Sequence, residues 1–134
     1  MKKLDNFSNC LEVLKSADFT CADNDDIYRT GIVGQFNLTF ELAWKALQEV
    51  MKIHGVSEAE TGSPREILQL GYKIRFLNNS EAWLSMLKKR NISVHIYNED
   101  DVDELILLIQ KSYIPAFSEL EETLNMKLSE TEKE

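Results

Sequence analysis

Apolar residues recur at intervals of three and four along most of the chain, which is the repeat of an α-helix. The first such stretch runs from about Lys3 to Ala17, and its apolar face consists of Leu4, Phe7, Cys10, Leu11 and Leu14. The second runs from about Asp25 to His54 and stops at Gly55, a residue that favours helix ends. Asn24 or Asp25 is the expected N-cap. The pattern therefore predicts two N-terminal helices, the second much the longer.

Two glycines, Gly31 and Gly34, lie inside the second predicted helix. A glycine in a helix interior costs about 1 kcal/mol relative to alanine. This cost indicates either the close approach of another helix or a kink, and the sequence does not decide between them.

Start signals for further helices follow in the middle of the chain. The run SPRE at residues 63–66 places serine at an N-cap, proline at the first helical position and glutamate where it closes a capping box. We therefore predict a helix from Pro64 to about Phe76. Asn79 or Ser80 then caps the next helix, which enters the segment Trp83–Glu99.

The last predicted helix starts near Asp100 to Asp103, whose carboxylates suit a helix N-terminus, and extends to about Met126. Pro115 should kink or restart it. Residues 127–134 are polar and are expected to form a disordered tail. Ile92–Tyr97 is the one stretch with strand character, and a lone strand there has nothing to pair with. The prediction is an all-α antiparallel bundle of four main helices plus a short one, in a single domain over residues 1–126.

Composition and charge narrow the classes of function. The chain has 134 residues, 28% of them charged, and a formal net charge of −8. A general nucleic-acid binder is expected to carry a basic face, so any RNA contact here must be local or assisted by a basic partner. Cys10 and Cys21 form no CxxC motif and have no histidine nearby, which argues against a zinc site, and we expect neither metal nor cofactor. Two reduced thiols and the absence of a long apolar run predict a soluble, cytoplasmic protein.

The segment Trp83–Glu99, WLSMLKKRNISVHIYNE, concentrates the polar groups that can carry chemistry. An imidazole such as that of His95 exchanges protons near neutral pH, and a guanidinium such as that of Arg90 can clamp a phosphate. Together they match the needs of metal-free RNA cleavage, although a single histidine is more often structural. On an ideal helix Arg90 lies about 140° around from His95, whereas Asn91 shares its face. Arg90 and His95 can then line one groove only if the helix ends, bends or meets a symmetry mate.

Lys88 and Lys89 precede this arginine and complete the strongest basic run. Such a run is usually a solvated helix face, but beside Arg90 and His95 it can contact RNA or a nucleotide. Tyr97 is either a half-buried aromatic at a helix end or a hydroxyl exposed beside the groove and open to modification.

Several other notable side chains have simpler structural interpretations. Glu41 is most simply a surface carboxylate and Trp44 a core aromatic. Phe36, Phe40 and Trp44 recur at helical spacing, which favours packing over a base-stacking platform. His54, next to a glycine, is interpreted as a cap that suits the dipole at a helix C-terminus.

Three segments carry a resemblance to the nucleotidyltransferase substrate-binding protein family, a branch of the HEPN superfamily. They are QFNLTFELAWKAL (Gln35–Leu47), GSPREIL (Gly62–Leu68) and WLSMLKKRNISVHIYNE (Trp83–Glu99), and the likeness extends roughly from Leu4 to Leu124. The third segment resembles the superfamily signature, an arginine and a polar residue followed a short way on by a histidine. Arg90, Asn91 and His95 fill that pattern, and Tyr97 completes its extended form.

The resemblance implies a HEPN-like helical bundle that forms a homodimer, with the two Arg–His motifs meeting across the dimer cleft. It implies a metal-independent endoribonuclease toxin in which Arg90, Asn91 and His95 are catalytic. A cognate small nucleotidyltransferase is then the antitoxin, silencing the toxin by transferring AMP to Tyr97. The alternative that the family also allows is a non-catalytic subunit that binds a substrate or nucleotide for a two-component nucleotidyltransferase. Val94 and Ile96 depart from the common pattern without removing a motif residue.

Overall fold

The computed structural model describes residues 1–90 and 98–132 of the chain. These residues form an all-α bundle, as predicted, and contain no β-strand. Ile92–Tyr97, the stretch with strand character, lies outside them. The helices are α1 (Lys2–Lys15), α2 (Asp26–Ile53), α3 (Pro64–Lys73), α4 (Ser80–Lys89), α5 (Glu99–Leu108) and α6 (Ile114–Glu132). Among the described helices, none combines the length and apolar character that a membrane span requires.

The predicted starts of α2, α3 and α4 are confirmed, and a capping residue marks each of them. Asp25 caps α2, its carboxylate accepting hydrogen bonds from the first turn, and Gly55 follows the helix with a φ of +81°. Ser63 and Glu66 form the reciprocal capping box of α3, with bonds of 3.2 and 3.1 Å. Asn79 accepts the Ala82 amide and caps α4. Local hydrogen bonding therefore sets these boundaries.

The core is built around a cluster of aromatic rings contributed by four helices. Phe117 of α6 lies edge-on to Trp83 of α4, with ring centroids 5.5 Å apart, and contacts Phe7 of α1 at 6.1 Å. Phe36 of α2 stacks on Tyr113 at 5.2 Å. Because all five side chains are almost fully buried, they fix α1, α2, α4 and α6 against one another.

The predicted last helix is divided next to Pro115, because a π-helical turn, Ile109–Tyr113, joins α5 to α6 and α6 begins at Ile114. A proline lacks an N–H and its ring collides with the carbonyl four residues earlier. The wider turn, in which the Ile114 amide bonds to the Ile109 carbonyl, directly precedes the proline. Tyr113 lies buried in this turn and its hydroxyl is 2.6 Å from Ser85 Oγ. Burial raises the pKa of the Tyr113 phenol.

The end of the chain is helical where a disordered tail was expected. Helix α6 continues to Glu132, so residues 127–132 are helical. The His54 ring nitrogen lies 2.8 Å from the Lys127 carbonyl oxygen, and Leu128 packs against the core. His54 thus caps α2, as predicted, and also links it to α6, which accounts for the extra helical turns.

The two glycines of α2 have no packing partner within the described chain. A Cβ added at Gly31 or Gly34 would meet nothing within 4 Å, and α2 runs unbroken through both positions. Of the two predicted explanations, the close approach of another helix within the described chain is therefore wrong. In contrast, a Cβ at Gly71 would lie 2.9 Å from Leu47 Cδ2, so that glycine allows α3 to approach α2.

Candidate functional site

The predicted functional segment lies at a junction between two helices. Helix α4 ends at Lys89, and Arg90 is its C-cap in an extended conformation (φ −61°, ψ 152°). Helix α5 begins at Glu99 after the N-cap Asn98. The expectation of an amphipathic helix continuing past Arg90 is therefore wrong at that residue, and the helix ends there instead. Of the predicted site residues, Asn91, His95 and Tyr97 lie outside the part of the chain that the structure describes.

Arg90 turns its side chain toward the middle of α2. Its Nη1 lies 3.7 Å from Glu41 Oε1, and the two side chains are 32% and 36% exposed. The other carboxylate oxygen of Glu41 accepts a hydrogen bond of 3.1 Å from the Trp44 indole N–H. Glu41 is therefore a carboxylate with two partners rather than a plain surface group, and Trp44 is only partly buried. The sequence indicated only a surface carboxylate at Glu41, because its partner Arg90 is remote along the chain.

The basic run is not a free cationic face. Lys89 Nζ lies 4.0 Å from Glu104 Oε1 of α5, so Lys89 and Arg90 both face carboxylates. Lys88 is exposed and has no ion pair among the described residues. In a chain with a net charge of −8, this pairing weakens any long-range attraction of RNA to the basic run.

Arg29 fixes the other side of the junction, and the sequence analysis did not identify it. Its side chain is 13% exposed and forms an ion pair with Asp103 in the second turn of α5. A second guanidinium nitrogen bonds to the Glu99 carbonyl at 3.4 Å. Arg29 thus connects α2 to the start of α5. Glu41 connects α2 to the end of α4.

This arrangement suits the recognition of an anion. A guanidinium carries several N–H donors in a fixed plane, and a carboxylate on one edge leaves the others available. Since Arg90 remains partly exposed, a phosphate can approach it from solvent on the edge that does not face Glu41. Arg90 is therefore the candidate phosphate-binding group among the described residues at the junction of α4 and α5.

Comparisons with known proteins agree with this helical architecture. A family model described as nucleotidyltransferase substrate binding protein like matches residues 2–126. A solved crystal structure of a protein from Thermus thermophilus is similar, with 26% sequence identity and a TM-score of 0.68. The similarity covers 91% of this chain and 98% of that one. A comparison with curated proteins finds no match.

Proposed function

The chain belongs to the nucleotidyltransferase substrate binding protein-like family, and we propose on this premise that it is a HEPN-type, metal-independent ribonuclease toxin. The family itself indicates a helical partner subunit of a nucleotidyltransferase. The observation that carries the proposal is the position of Arg90. This residue follows the end of α4 in an extended conformation, and its guanidinium is partly exposed and forms an ion pair with Glu41. A helix that ends at this point is one of the three arrangements that would allow Arg90 and His95 to line one groove, and it supports the proposal in this way.

In the proposed reaction Arg90 binds the scissile phosphate and stabilises the charge that develops on it. His95 accepts the proton of the ribose 2′-hydroxyl, and the 2′-oxygen forms a bond to phosphorus while the bond to the 5′-oxygen breaks. The leaving 5′-oxygen takes a proton from an imidazolium or from water. Asn91 orients the groove, and Lys88 and Lys89 contact the RNA backbone.

We also propose that the active form is a homodimer, and the exposed face of α2 supports this. Ile27, Gly31, Gly34 and Leu38 lie within about 60° of one another on an ideal helix. Ile27 is 85% and Leu38 49% exposed. If two α2 helices cross antiparallel at the glycines, Ile27 of each faces Leu38 of the other. Such a self-complementary patch fits a two-fold interface, and the glycines permit close approach.

Leu38→Arg is expected to convert the dimer to a monomer, because the interface would bury a charge without a partner. Light scattering after size-exclusion chromatography measures the molar mass. Ile53→Arg is the matched control, since Ile53 is a similarly exposed residue (45%) near the other end of the same helix. A wild-type chain that is monomeric at all concentrations, or two variants that behave alike, would reject this interface.

The regulatory part of the proposal predicts covalent modification of Tyr97. Incubation with the cognate nucleotidyltransferase and ATP is expected to raise the intact mass by one or more AMP units and to suppress RNA cleavage. Tyr97→Phe should abolish the mass gain. Tyr72→Phe is the control, because Tyr72 is an exposed tyrosine (51%) on α3. An unchanged mass gain in Tyr97→Phe would place the modification elsewhere and refute the assignment.

A groove between α3 and α4 favours a second candidate function, that of a non-catalytic subunit binding a nucleotide or other substrate. The groove has a volume of about 310 Å³ and combines Arg65 and Gln69 with the ring of Tyr72 and an apolar floor. This candidate predicts nucleotide binding to the isolated chain without RNA cleavage. Arg65→Ala should then weaken nucleotide binding, whereas Arg90→Ala should not.

A further inference from the structure

We propose that Glu41 is a positioning residue for Arg90, an inference that rests on the ribonuclease function proposed above. Arg90 is the last described residue before the junction segment, and its backbone is already extended. A long, flexible side chain at such a position samples many rotamers unless a neighbouring group restricts it. Glu41 Oε1, 3.7 Å from Arg90 Nη1, is that group.

Helix α2 makes Glu41 a rigid support. The neighbouring Phe40 and Ala43 are fully buried, so the backbone that carries the carboxylate is packed into the core. The Trp44 indole N–H holds the second carboxylate oxygen at 3.1 Å, which limits rotation of the carboxylate. Trp44 contacts one oxygen of the Glu41 carboxylate and Arg90 contacts the other. The position of α2 therefore determines how the Arg90 guanidinium is oriented.

The energetics favour a positioning role over a stabilising one. Both partners are about one-third exposed, and ion pairs in such settings contribute little to folding stability. Orientation of a reacting group, in contrast, can strongly affect rate, since a displacement of about 1 Å can lower activity about a hundredfold. Loss of the Glu41 carboxylate should therefore reduce turnover without unfolding the protein.

The experiment compares Glu41→Gln with a control on the same helix. Glu49 is a carboxylate of similar exposure that pairs with Lys3 and Lys52, away from the junction, so Glu49→Gln changes the net charge equally. Glu41→Gln is expected to lower kcat for RNA cleavage about tenfold, while KM stays constant or falls because a negative charge is removed. Glu49→Gln should leave kcat at the wild-type value. Equal kcat values in the two variants would overturn the inference.

A measurement independent of catalysis separates this inference from the proposed function. The NMR signal of the Arg90 Nε–H group, assigned with Arg90→Lys, reports how firmly the guanidinium is held. In the wild type it should be distinct and slow to exchange, and both Glu41→Gln and Trp44→Phe should broaden it toward the free-arginine position. An Arg90 signal that Glu41→Gln leaves unchanged refutes the positioning role. A wild-type protein that holds Arg90 but cleaves no RNA refutes the ribonuclease function instead.

Discussion

Arg90→Ala and His95→Ala should each abolish detectable cleavage of RNA by the purified protein in the presence of EDTA. Removal of a general base typically costs about 10²–10⁴ in rate, and removal of one electrostatic stabiliser about 10²–10³. The two substitutions act on one reaction step, so the double variant should be no worse than the poorer single variant. Cleavage of a fluorescent RNA, followed by gel electrophoresis at several salt concentrations, measures the effect.

Arg65→Ala supplies the control for the loss of one positive charge. Arg65 is exposed on α3, forms no ion pair among the described residues, and lies in the groove between α3 and α4. Its removal should leave cleavage intact if the junction is the active site. Full cleavage by Arg90→Ala or His95→Ala would contradict the mechanism. Absence of cleavage by every protein, including the wild type, would favour the nucleotide-binding subunit.

The net negative charge of the chain leads to a prediction about how its affinity for RNA depends on salt concentration. Arg90 and Lys89 face Glu41 and Glu104, so an approaching phosphate competes with carboxylates for the same cations. Few free cations mean few counterions released on binding, and the affinity for RNA should depend only weakly on salt. Substrate recognition must then rely on local geometry rather than on long-range attraction.

The helical fold could be predicted from the sequence because local hydrogen bonds specify most of its boundaries. Asp25, Ser63 and Asn79 each accept a backbone amide in the first turn of the helix that they precede. A capping residue and an apolar repeat suffice for such a prediction, since neither depends on distant parts of the chain. Most residues of the predicted apolar faces of α1 and α2 are buried, whereas Ile27 and Leu38 of α2 are exposed.

Helix ends without a local signal could not be predicted. Helix α3 ends at Lys73 rather than near Phe76, and Arg75 follows with a φ of +69°, where glycine is the usual residue. The end of α3 is a local hydrogen-bonded turn, in which the Phe76 amide bonds to the Gly71 carbonyl and the Arg75 amide to the Tyr72 carbonyl, but an arginine occupies the position where a glycine would have marked it. Helix α4 ends at Lys89, although no glycine or proline follows in the sequence to mark that end.

The geometry of the candidate site also depends on contacts between distant segments. The approach of Glu41 to Arg90, and of Arg29 to Asp103, joins the middle and the start of α2 to residues far along the chain. No repeat or motif in the sequence predicts such ion pairs. The sequence therefore predicts which residue types are available for chemistry, whereas the packing of α2 determines which of them meet.

Phe117→Ala is expected to lower the free energy of unfolding by about 3–5 kcal/mol, the usual cost of deleting a fully buried phenylalanine ring. Its ring contacts Phe7, Phe36 and Trp83, at centroid distances of 6.1, 6.4 and 5.5 Å, so the substitution leaves a cavity bordered by three helices. Aromatic contacts add to the area that is buried. Urea denaturation followed by circular dichroism measures the change as a lower midpoint.

Leu107→Ala is the control, because Leu107 is 55% exposed on α5 and its truncation should change stability by no more than about 0.5 kcal/mol. A loss below about 1 kcal/mol for Phe117→Ala would mean that the rings can collapse into the cavity, against the close packing observed. The effect also bears on the site, because Trp83 belongs to α4, the helix that ends at Arg90. A loosened α4 would let Arg90 move relative to Glu41, so Phe117→Ala should lower RNA cleavage even at temperatures where the variant remains folded.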